Sequence, residues 1–359
     1  MKRRTINRLL VVLACIVALL GIGGWLVWYL NSFPSAVEKA GLACKGPPTP
    51  LSTGQRFRLV SWNIQYAASR KYHFFYDGGP DVRVKRKDVL ATSDQIARTL
   101  VRLHPDIAQI QEVDRRSDRT HQIDEMQRIL GRSGPWACWA WTWYHRSRFV
   151  PFPFFHPLGK VDFHLVTATR YRIDAALRRS LPQLKENWIR RAFNLKRAIL
   201  ETSIPVQGSK RPLVLLNTHL SAFSRGDGTL AKQVSILRRR LEALEAEQTP
   251  WVLTGDFNML PPTDRPTRLG KEAGYYADKH NPIKTLFEHF HSAVSLEQYR
   301  SNPERFYTYL PYGAKRTDRT LDYVFVGRRV DVIDVSVDQQ PHPLSDHMPM
   351  IVDLRIHGL

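Results

Sequence analysis

Cysteine is scarce in this sequence, and its scarcity limits the metal chemistry available to the protein. The chain contains Cys15, Cys44 and Cys138 and no other cysteine. None belongs to a Cys-x-x-Cys pair and the histidines lack zinc-site spacing, which argues against a thiolate metal site. Cys15 lies in an apolar run and is expected to act as a small hydrophobic side chain. Cys44 and Cys138 can pair in an oxidising compartment, but the sequence does not decide whether they do.

Negative charge is also in short supply. Asp and Glu total 33 against 53 Lys and Arg, which gives a formal net charge of +20. An excess of this size favours a polyanionic partner, such as nucleic acid, an anionic membrane surface or a phosphorylated substrate. Charge alone does not choose among these partners, and a general contribution to solubility is the alternative.

Charge is absent altogether from residues 9–30. About 20 apolar residues are enough to cross a bilayer, and this run ends in Trp25, Trp28 and Tyr29, which are typical of a membrane interface. A cleaved signal peptide is the alternative, but its apolar region is usually about 7–15 residues long and ends at small residues. We therefore predict an uncleaved transmembrane anchor over residues 9–30.

Basic residues precede this anchor within residues 1–8. Because positive charge is retained on the cytoplasmic side, residues 1–8 are predicted to be cytoplasmic and the rest of the chain periplasmic or extracellular. The predicted localisation is the cell inner membrane, crossed once. Residues 31–55 are rich in proline and glycine and are predicted to be a linker.

Residues 56–359 combine helix and strand patterns without a visible repeat. Apolar residues at helical spacing predict helices at 89–104, 123–129 and 230–244. Alternating or short apolar runs predict strands. The predicted strands cover residues 58–63, 106–112, 161–172, 196–201, 212–219, 251–254, 320–326 and 350–354. This pattern predicts one α/β domain of two packed sheets with helices outside.

Polar residues stand where the predicted strands end. After the apolar residues of the stretch Trp251–Asn258, Gly255 is expected to let the chain turn, and Asp256 and Asn258 follow. An isolated pair of this kind can be an Asx-turn. Comparable residues at other predicted strand ends are Asn63, Glu112, His219, Asp322, Asp346 and His347. Repetition of this feature at several strand ends indicates a functional site.

The composition of this set favours metal-assisted hydrolysis of a phosphoester. Carboxylate and amide oxygens without thiolates suit Mg²⁺, with Mn²⁺ as a second possibility. Histidines suit proton transfer or the stabilisation of a phosphoryl oxyanion. Together these groups match the needs of water attack on phosphorus.

The same residues belong to short motifs in a characteristic order. The motifs are Ser61-Trp-Asn63, Gln111-Glu112, Asn217-Thr-His219, Gly255-Asp-Phe-Asn258, Leu321-Asp322 and Ser345-Asp-His347. In this order, the sequence from Arg56 to the C-terminus resembles the endonuclease/exonuclease/phosphatase superfamily. The resemblance implies a four-layer α/β sandwich, with a metal-dependent hydrolase site at one edge of the two sheets.

The resemblance also implies roles for individual residues. Asn63, Glu112 and Asp346 correspond to metal-binding positions, with Glu112 as the main Mg²⁺ ligand. Asp256 corresponds to the group that orients or deprotonates the attacking water. Asn258 corresponds to the group that holds a phosphate oxygen.

Further roles follow for the histidines. His347, oriented by Asp322, resembles the histidine that contacts phosphate or acts as a general base, and His219 resembles an acid for the leaving oxygen. Arg197 corresponds to a phosphate-binding arginine in some members. The motif Asn217-Thr-His219 differs from that of abasic-site repair enzymes and points away from that activity.

Residues 135–157 are rich in tryptophan, tyrosine and phenylalanine, interspersed with His145, Arg146 and Arg148. Three interpretations are open at this point. The segment can be a strand and loop at the edge of the core, a lip that touches the bilayer, or a surface on which bases stack.

The leading prediction is a membrane-tethered, Mg²⁺-dependent phosphodiesterase or nuclease in which water attacks phosphorus in line. The basic charge favours a nucleic-acid substrate, whereas the anchor and the aromatic segment favour a phosphorylated lipid, as for a sphingomyelinase-like phosphodiesterase or a phosphatase. A non-catalytic membrane protein that binds an anionic ligand is the alternative from another class. No protein partner can be inferred.

Overall fold

A computed structural model describes residues 2–45, 48–222, 226–276, 281–339 and 344–357. The α-helices in these ranges are α1 (Lys2–Leu30), α2 (Arg86–Leu103), α3 (Glu125–Leu130), α4 (Trp188–Phe193), α5 (Thr229–Ala246), α6 (Ala273–Tyr276), α7 (Lys284–His289) and α8 (Leu296–Ser301). The first strands are β1 (Val37–Lys39), β2 (Gly41–Cys44), β3 (Leu51–Ser52), β4 (Arg56–Asn63), β5 (Ile107–Asp114), β6 (Cys138–Val150), β7 (Gly159–Thr169) and β8 (Ala175–Ser180). The remaining strands are β9 (Ala198–Ile204), β10 (Val206–Gln207), β11 (Leu213–His219), β12 (Trp251–Asp256), β13 (His291–Ser292), β14 (Asp322–Val326), β15 (Val330–Val337) and β16 (Met350–Ile356).

The strands form two seven-stranded sheets and a small sheet of β3 and β10. One large sheet has the order β1-β8-β9-β11-β12-β14-β13, and the other has the order β15-β16-β4-β5-β7-β6-β2. Each contains one central parallel pair, β11 with β12 or β4 with β5, flanked by antiparallel strands. The carboxyl ends of the parallel strands in each sheet therefore share one edge.

The two sheets pack face to face, with β4 and β5 against β11 and β12. The interface is apolar and includes the buried side chains of Leu59, Leu215 and Val252. A polar contact also crosses it, because Gln111 Nε2 donates a 2.8 Å hydrogen bond to Asn217 Oδ1. A buried amide is costly unless it is paired, so this contact favours one alignment of the sheets over others.

Helices cover the outer faces of both sheets. The predicted apolar stripe of α5 packs on the β11–β12 side, where Val234, Leu237 and Leu241 are buried with Leu216 and Leu253. Apolar residues three and four apart form one face of a helix, which is why this stripe seals one side of the sheet. On the other side α2 contacts α3, and α3 contacts β5. The prediction of two packed mixed sheets flanked by helices is confirmed.

The prediction that residues 31–55 form a linker is wrong for the described part of that segment. Strand β1 pairs with β8, and β2 pairs with β6, so the segment adds an edge strand to each large sheet. Its prolines and glycines separate very short strands, which is a usual way to end a sheet. The folded domain therefore begins before residue 56.

Helix α1 contains a stretch, Arg4–Leu30, that is long and apolar enough to cross a membrane. The most apolar part of this stretch is not buried against the described part of the domain. A signal sequence passes the same test. The end of α1 is nevertheless attached to β6. Ser147 Oγ donates a 3.1 Å hydrogen bond to the carbonyl oxygen of Leu30, and the Arg148 guanidinium lies 4.2 Å from the centre of the Tyr29 ring.

The aromatic segment divides into two parts with different surroundings. Strand β6 contributes buried side chains such as Tyr144 to the core, as the core-edge interpretation expects. The turn after β6 instead leaves Phe154 82% and Phe155 87% exposed. The phenylalanine side chains at the tip of this hairpin are therefore not part of the hydrophobic core.

Cys44 and Cys138 form a disulfide between β2 and β6, where they are directly opposite in the strand register. The sequence left this pairing undecided. The bond encloses a chain segment with a sequence separation of 94 and attaches the N-terminal edge strand to the rest of its sheet. Cys15 is exposed on α1.

Replacing Cys44 and Cys138 together with alanine should destabilise the domain by about 3–5 kcal/mol, because a closed loop of this length restricts the unfolded chain. In detergent, the full-length protein should show a melting temperature lowered by roughly 5–15 °C. Cys15→Ser is the matched control and should melt like the wild type. A double variant that melts at the wild-type temperature would contradict a stabilising disulfide.

Candidate active site

One row of functional side chains follows directly from the pairing of three strands. His219 and Asp256 end the parallel strands β11 and β12 and are opposite each other in register. Asp322 begins β14 and is opposite Asp256. Sequence analysis placed Asp322 at a strand end. It lies at a strand start, and because β14 is antiparallel to β12, the start of β14 reaches the same edge.

The second sheet supplies Asn63 and Glu112. Asn63 is the last residue of β4 and pairs with Gln111 of β5. Glu112 has a φ of 60°, and the β5–β7 pairing shifts register between Ile110 and Val113. An irregularity of this kind redirects a side chain, and it turns Glu112 towards the edge where the two sheets meet.

Asp256 is the point where the two sheets come into contact at this edge. The amide nitrogen Nδ2 of Asn63 donates 3.1 Å hydrogen bonds to Asp256 Oδ2 and to Glu112 Oε1. The backbone nitrogen of Asn258 donates to Asp256 Oδ1 at 2.9 Å. One amide thus holds two carboxylates from different sheets at a fixed distance.

Asn63 was predicted to be a metal ligand, and its orientation differs from that role. Its Nδ2 faces the carboxylates, while its Oδ1 accepts a 3.0 Å hydrogen bond from the backbone nitrogen of Gln65. In this arrangement Asn63 positions Glu112 and Asp256, and its oxygen is engaged by the main chain.

His347 is held in a single orientation by its neighbours. Its Nδ1 donates a 2.7 Å hydrogen bond to Asp322 Oδ2, its carbonyl oxygen accepts from Trp62 Nε1 at 2.8 Å, and Tyr309 packs edge-on against the imidazole. These contacts leave Nε2 directed towards Asp256, 3.5 Å from Oδ2. The predicted orienting role of Asp322 agrees with this geometry.

His219 and Arg197 line the opposite side of Asp256. His219 Nε2 lies 3.3 Å from Asp256 Oδ2, and its Nδ1 lies 3.4 Å from the Tyr144 hydroxyl. The Arg197 guanidinium lies over the Tyr144 ring at 5.4 Å. Arg197 is buried, and its Nη1 has no hydrogen-bond partner within the described ranges. An unpaired buried cation of this kind is suited to an anionic ligand.

The pKa values of the two site carboxylates, Glu112 and Asp256, are higher than those of free carboxylates. Burial, together with the charge of Asp346, raises the pKa of Glu112 to about 7. Burial likewise raises the pKa of Asp256 to about 6. Both acids therefore carry negative charge that the surrounding protein compensates incompletely, which is the setting that a divalent cation stabilises.

The two histidines have opposite electrostatic surroundings. Burial alone would lower the pKa of His347, but the charges of Asp322 and Asp256 outweigh burial and raise this pKa well above its ordinary value. Burial, then the positive charges of Arg197 and His347, lower the pKa of His219 well below its ordinary value. These shifts favour the protonated form of His347 and the neutral form of His219, whereas the family resemblance implied that His219 is the acid.

The other predicted residues lie at the margin of this cluster. Asp346 is next to His347, and its Oδ1 accepts a 3.2 Å hydrogen bond from Ser345 Oγ. Asn258 has a φ of 53°, and its Nδ2 donates to the carbonyl oxygen of Leu220 at 3.1 Å. The chain therefore turns at Asn258. The prediction that Gly255 makes the turn is wrong, because Gly255 is still part of β12.

Two overlapping groups of side chains have ligand atoms within 4.8 Å of one another. The groups are Glu112 with His219 and Asp256, and Asp256 with Asp322 and His347. Asp346 belongs to neither group, although its charge acts on Glu112. Carboxylate oxygens predominate in the first group and its surroundings, which fits a hard divalent ion such as Mg²⁺ or Mn²⁺.

Sequence analysis assigned no site role to Tyr144, Tyr309 or Thr308. Tyr144 links His219 to Arg197, Tyr309 packs against His347, and Thr308 Oγ1 accepts a 3.2 Å hydrogen bond from the backbone nitrogen of Asp322. Tyr144 lay within the aromatic segment, so the alternation of β6 could have placed it inside. Nothing in the sequence around Thr308 and Tyr309 indicates their position.

The family model described as the Endonuclease/Exonuclease/phosphatase family matches residues 60–347. This range contains every residue of the site described above. No curated protein matches the chain in sequence.

Several solved structures share the fold. An endonuclease/exonuclease/phosphatase from Beutenbergia cavernae is 22% identical, with a TM-score of 0.57 over 84% of this chain and 72% of that one. The human Nocturnin catalytic domain, solved with a bound sulfate anion, is 16% identical, with a TM-score of 0.52 over 88% of this chain and 97% of that one. Truncated Caenorhabditis elegans TDP2 is 13% identical, with a TM-score of 0.51 over 84% and 98%. At these identities the likeness establishes the fold.

Gly255→Ala should destabilise the site edge strongly. An added Cβ would lie 1.9 Å from the carbonyl oxygen of Thr218, and the residue has a φ of 146°. We expect a loss of more than about 2 kcal/mol, measured by thermal unfolding of the full-length protein. Gly274→Ala is the matched control, since an added Cβ there meets nothing within 4 Å. Equal stability of the two variants would contradict the close approach of β11 and β12.

Asp322→Asn should lower the pKa of His347 by more than about one pH unit, because it removes a charge that favours the imidazolium. NMR titration of labelled histidine side chains would measure this, with the exposed His289 as the internal reference. A histidine whose pKa is raised by folding stabilises the folded state. This stabilisation is fully present below the pKa of the unfolded state and is lost as pH rises through the pKa of the folded state. The variant should therefore lose more stability at acidic than at alkaline pH. An unchanged His347 pKa would show that Asp322 does not control this imidazole.

Proposed function

The chain belongs to the endonuclease/exonuclease/phosphatase family, whose members are metal-dependent hydrolases of phosphoester bonds, and we propose that it is a membrane-tethered, Mg²⁺-dependent phosphodiesterase. The observation that carries this proposal is the contact of Asp256 with both histidines and with the amide that also holds Glu112. This arrangement brings together a base (Asp256), a cation (His347) and a metal site beside Glu112. In-line attack of water on phosphorus requires these three elements.

The residues of the edge fit the expected divalent ion. Glu112 and Asp346 would hold it, with Asp256 nearby and Asn63 keeping the Glu112 carboxylate in place. When bound, such an ion supplies positive charge to the phosphoryl oxygens and so stabilises the transition state. The choice of Mg²⁺ over Mn²⁺ rests on the oxygen-rich donor set.

In the proposed reaction Asp256 orients the attacking water and accepts its proton. Its pKa of about 6 makes it a stronger base than an ordinary carboxylate while leaving it largely ionised at neutral pH. His347, protonated and fixed by Asp322, stabilises the negative charge that develops on a phosphoryl oxygen.

The other side of the phosphate is recognised by His219, Arg197 and Asn258. As a neutral imidazole, His219 donates a hydrogen bond towards the leaving oxygen, which departs with the electrons of the P–O bond and takes its proton from solvent water. The free Nη1 of Arg197 binds a phosphate oxygen, as an unpaired buried guanidinium favours. The sulfate anion bound in the human Nocturnin catalytic domain supports a tetrahedral oxyanion as a ligand of this fold.

The proposed tether is α1, with the catalytic domain on the periplasmic or extracellular side. Attachment of Leu30 and Tyr29 to β6 supports retention of the helix in the mature protein. The disulfide between Cys44 and Cys138 supports an oxidising location for the domain. Basic residues in the first turns of α1, before its uncharged run, support a cytoplasmic N-terminus.

Two substrate classes have support. The net charge of +20 favours nucleic acid. The exposed Phe154 and Phe155 at the hairpin tip favour a phosphorylated lipid, because such side chains are common on membrane-binding surfaces. A purely binding role has less support, since the acids and histidines of the site are all present.

Activity is best tested with the full-length protein in detergent, with Mg²⁺ or EDTA. Bis(p-nitrophenyl) phosphate, plasmid and single-stranded DNA, RNA, sphingomyelin and phosphoinositides would be offered as substrates. Glu112→Gln and His347→Ala should each lower kcat/KM by about 10²–10⁴, because they remove a metal ligand and the cation that faces the phosphate. EDTA should abolish turnover.

His289→Ala is the matched control, because His289 is an exposed histidine whose Nδ1 contacts the carbonyl oxygen of Thr285. It should keep wild-type activity. Tight binding of a substrate without any metal-dependent turnover would overturn the catalytic proposal in favour of a binding role.

A further inference from the structure

Four exposed phenylalanines of the domain are close together in the sequence. Phe149, Phe152, Phe154 and Phe155 occupy the end of β6 and the turn that follows it, and all are exposed. Solvent-exposed phenylalanines in sequence are unfavourable in water, so a cluster of them indicates a surface with a partner. We call this cluster the aromatic tip.

A second apolar projection is formed by α4. Trp188 is 57% and Ile189 48% exposed, and the basic residues Arg190 and Arg191 follow them on the exposed surface. A tryptophan beside arginines is typical of a segment at a membrane interface, where the ring is half immersed and the cations meet phosphates.

The end of α1 lies between these two projections. On one side Ser147 and Arg148, directly before the aromatic tip, contact Leu30 and Tyr29. On the other side α1 contacts α4, and Lys196 Nζ lies 5.8 Å from the centre of the Phe33 ring. Both projections therefore lie beside the end of α1.

A groove of about 720 Å³ separates the end of α1 from β6 and β7. Its walls include Tyr29 and Phe33 from the anchor end, with Arg146, Arg148 and Lys160 from the domain. Asp162, which pairs with Arg146, is the acid in this lining. An apolar wall facing a surplus of cations suits a lipid with an anionic head group.

The aromatic tip is also connected to the side of the active site at which Tyr76 is exposed, which we call the mouth. The Phe152 ring packs 5.8 Å from Phe75, the next residue Tyr76 hydrogen-bonds Tyr66, and Tyr66 lies three residues after Asn63. Phe152 lies five positions after Ser147, a span of at most about 18 Å. The anchor end and the mouth thus lie on the same side of the domain.

We propose that the aromatic tip, α4 and the groove form a surface that docks on an anionic bilayer and holds the active-site mouth against it, so that the substrate is a phosphoester of the membrane surface. The substrate part of this inference rests on the phosphodiesterase function proposed above. The docking part rests on the contacts of α1 and on the exposed side chains. It assigns to the aromatic segment the bilayer-contact role that the sequence left open.

Docking is tested by spin-label depth measurements on the full-length chain in nanodiscs of phosphatidylcholine and phosphatidylglycerol. With Cys15 replaced by serine, single cysteines would be placed at Phe155, Trp188 and Lys210. Lys210 is exposed and precedes β11, at the opposite end of that strand from His219. Labels at Phe155 and Trp188 should be accessible to oxygen and shielded from a water-soluble nickel reagent, whereas the label at Lys210 should show the reverse. Accessibility of the label at Phe155 equal to that at Lys210 would overturn docking.

Presentation of the substrate is tested with Phe154→Ser combined with Phe155→Ser, which removes exposed side chains and should leave folding intact. Hydrolysis of phospholipid in the same nanodiscs should fall about tenfold or more, as expected when buried phenylalanines are lost from an interface. Hydrolysis of bis(p-nitrophenyl) phosphate should stay within about twofold of wild type. Equal loss on both substrates, or cleavage of nucleic acid but not lipid by the wild type, would overturn a membrane substrate. If the wild type cleaved no phosphodiester, the proposed function would fail while the label depths would still decide docking.

Discussion

The buried carboxylate of Asp256 is the constraint on which the site depends. It accepts hydrogen bonds from Asn63 of the opposite sheet and from the backbone of Asn258, and both site histidines face it. A buried carboxylate is costly unless it is fully paired. The two sheets must therefore meet at a single alignment to satisfy it, so the pairing that makes the fold specific also makes the site.

Around this carboxylate, identical side-chain types acquire different properties from their neighbours. The charges of Asp322 and Asp256 raise the pKa of His347, whereas burial and the charge of Arg197 lower the pKa of His219. The difference separates two tasks that phosphoester hydrolysis requires, which are charge stabilisation at phosphorus and contact with the leaving oxygen. The family resemblance alone places two histidines near the phosphate but does not assign their protonation states.

The domain also has a group of surface features beside the end of α1. The anchor end, the groove and the aromatic tip follow one another along the start of the chain and the β6–β7 hairpin. The proline and glycine content of residues 31–55 predicted a linker. Strands β1 and β2 instead join that segment to the two large sheets, so the residues after α1 are part of the folded domain.

Local sequence patterns were sufficient to predict many of the helices and strands of this protein. Helical spacing in α5 and apolar runs ending in polar residues in β11 and β12 depend on nearby residues alone, so the sequence predicted them, together with the α/β class and the set of site residues. Tertiary structure decided what depends on distant contacts. It determined that Asn63 faces the acids through its nitrogen, that Gly255 is needed for close strand approach, and that Tyr309 supports His347. These features depend on contacts between residues that are far apart in the sequence. No short stretch of sequence determines such contacts.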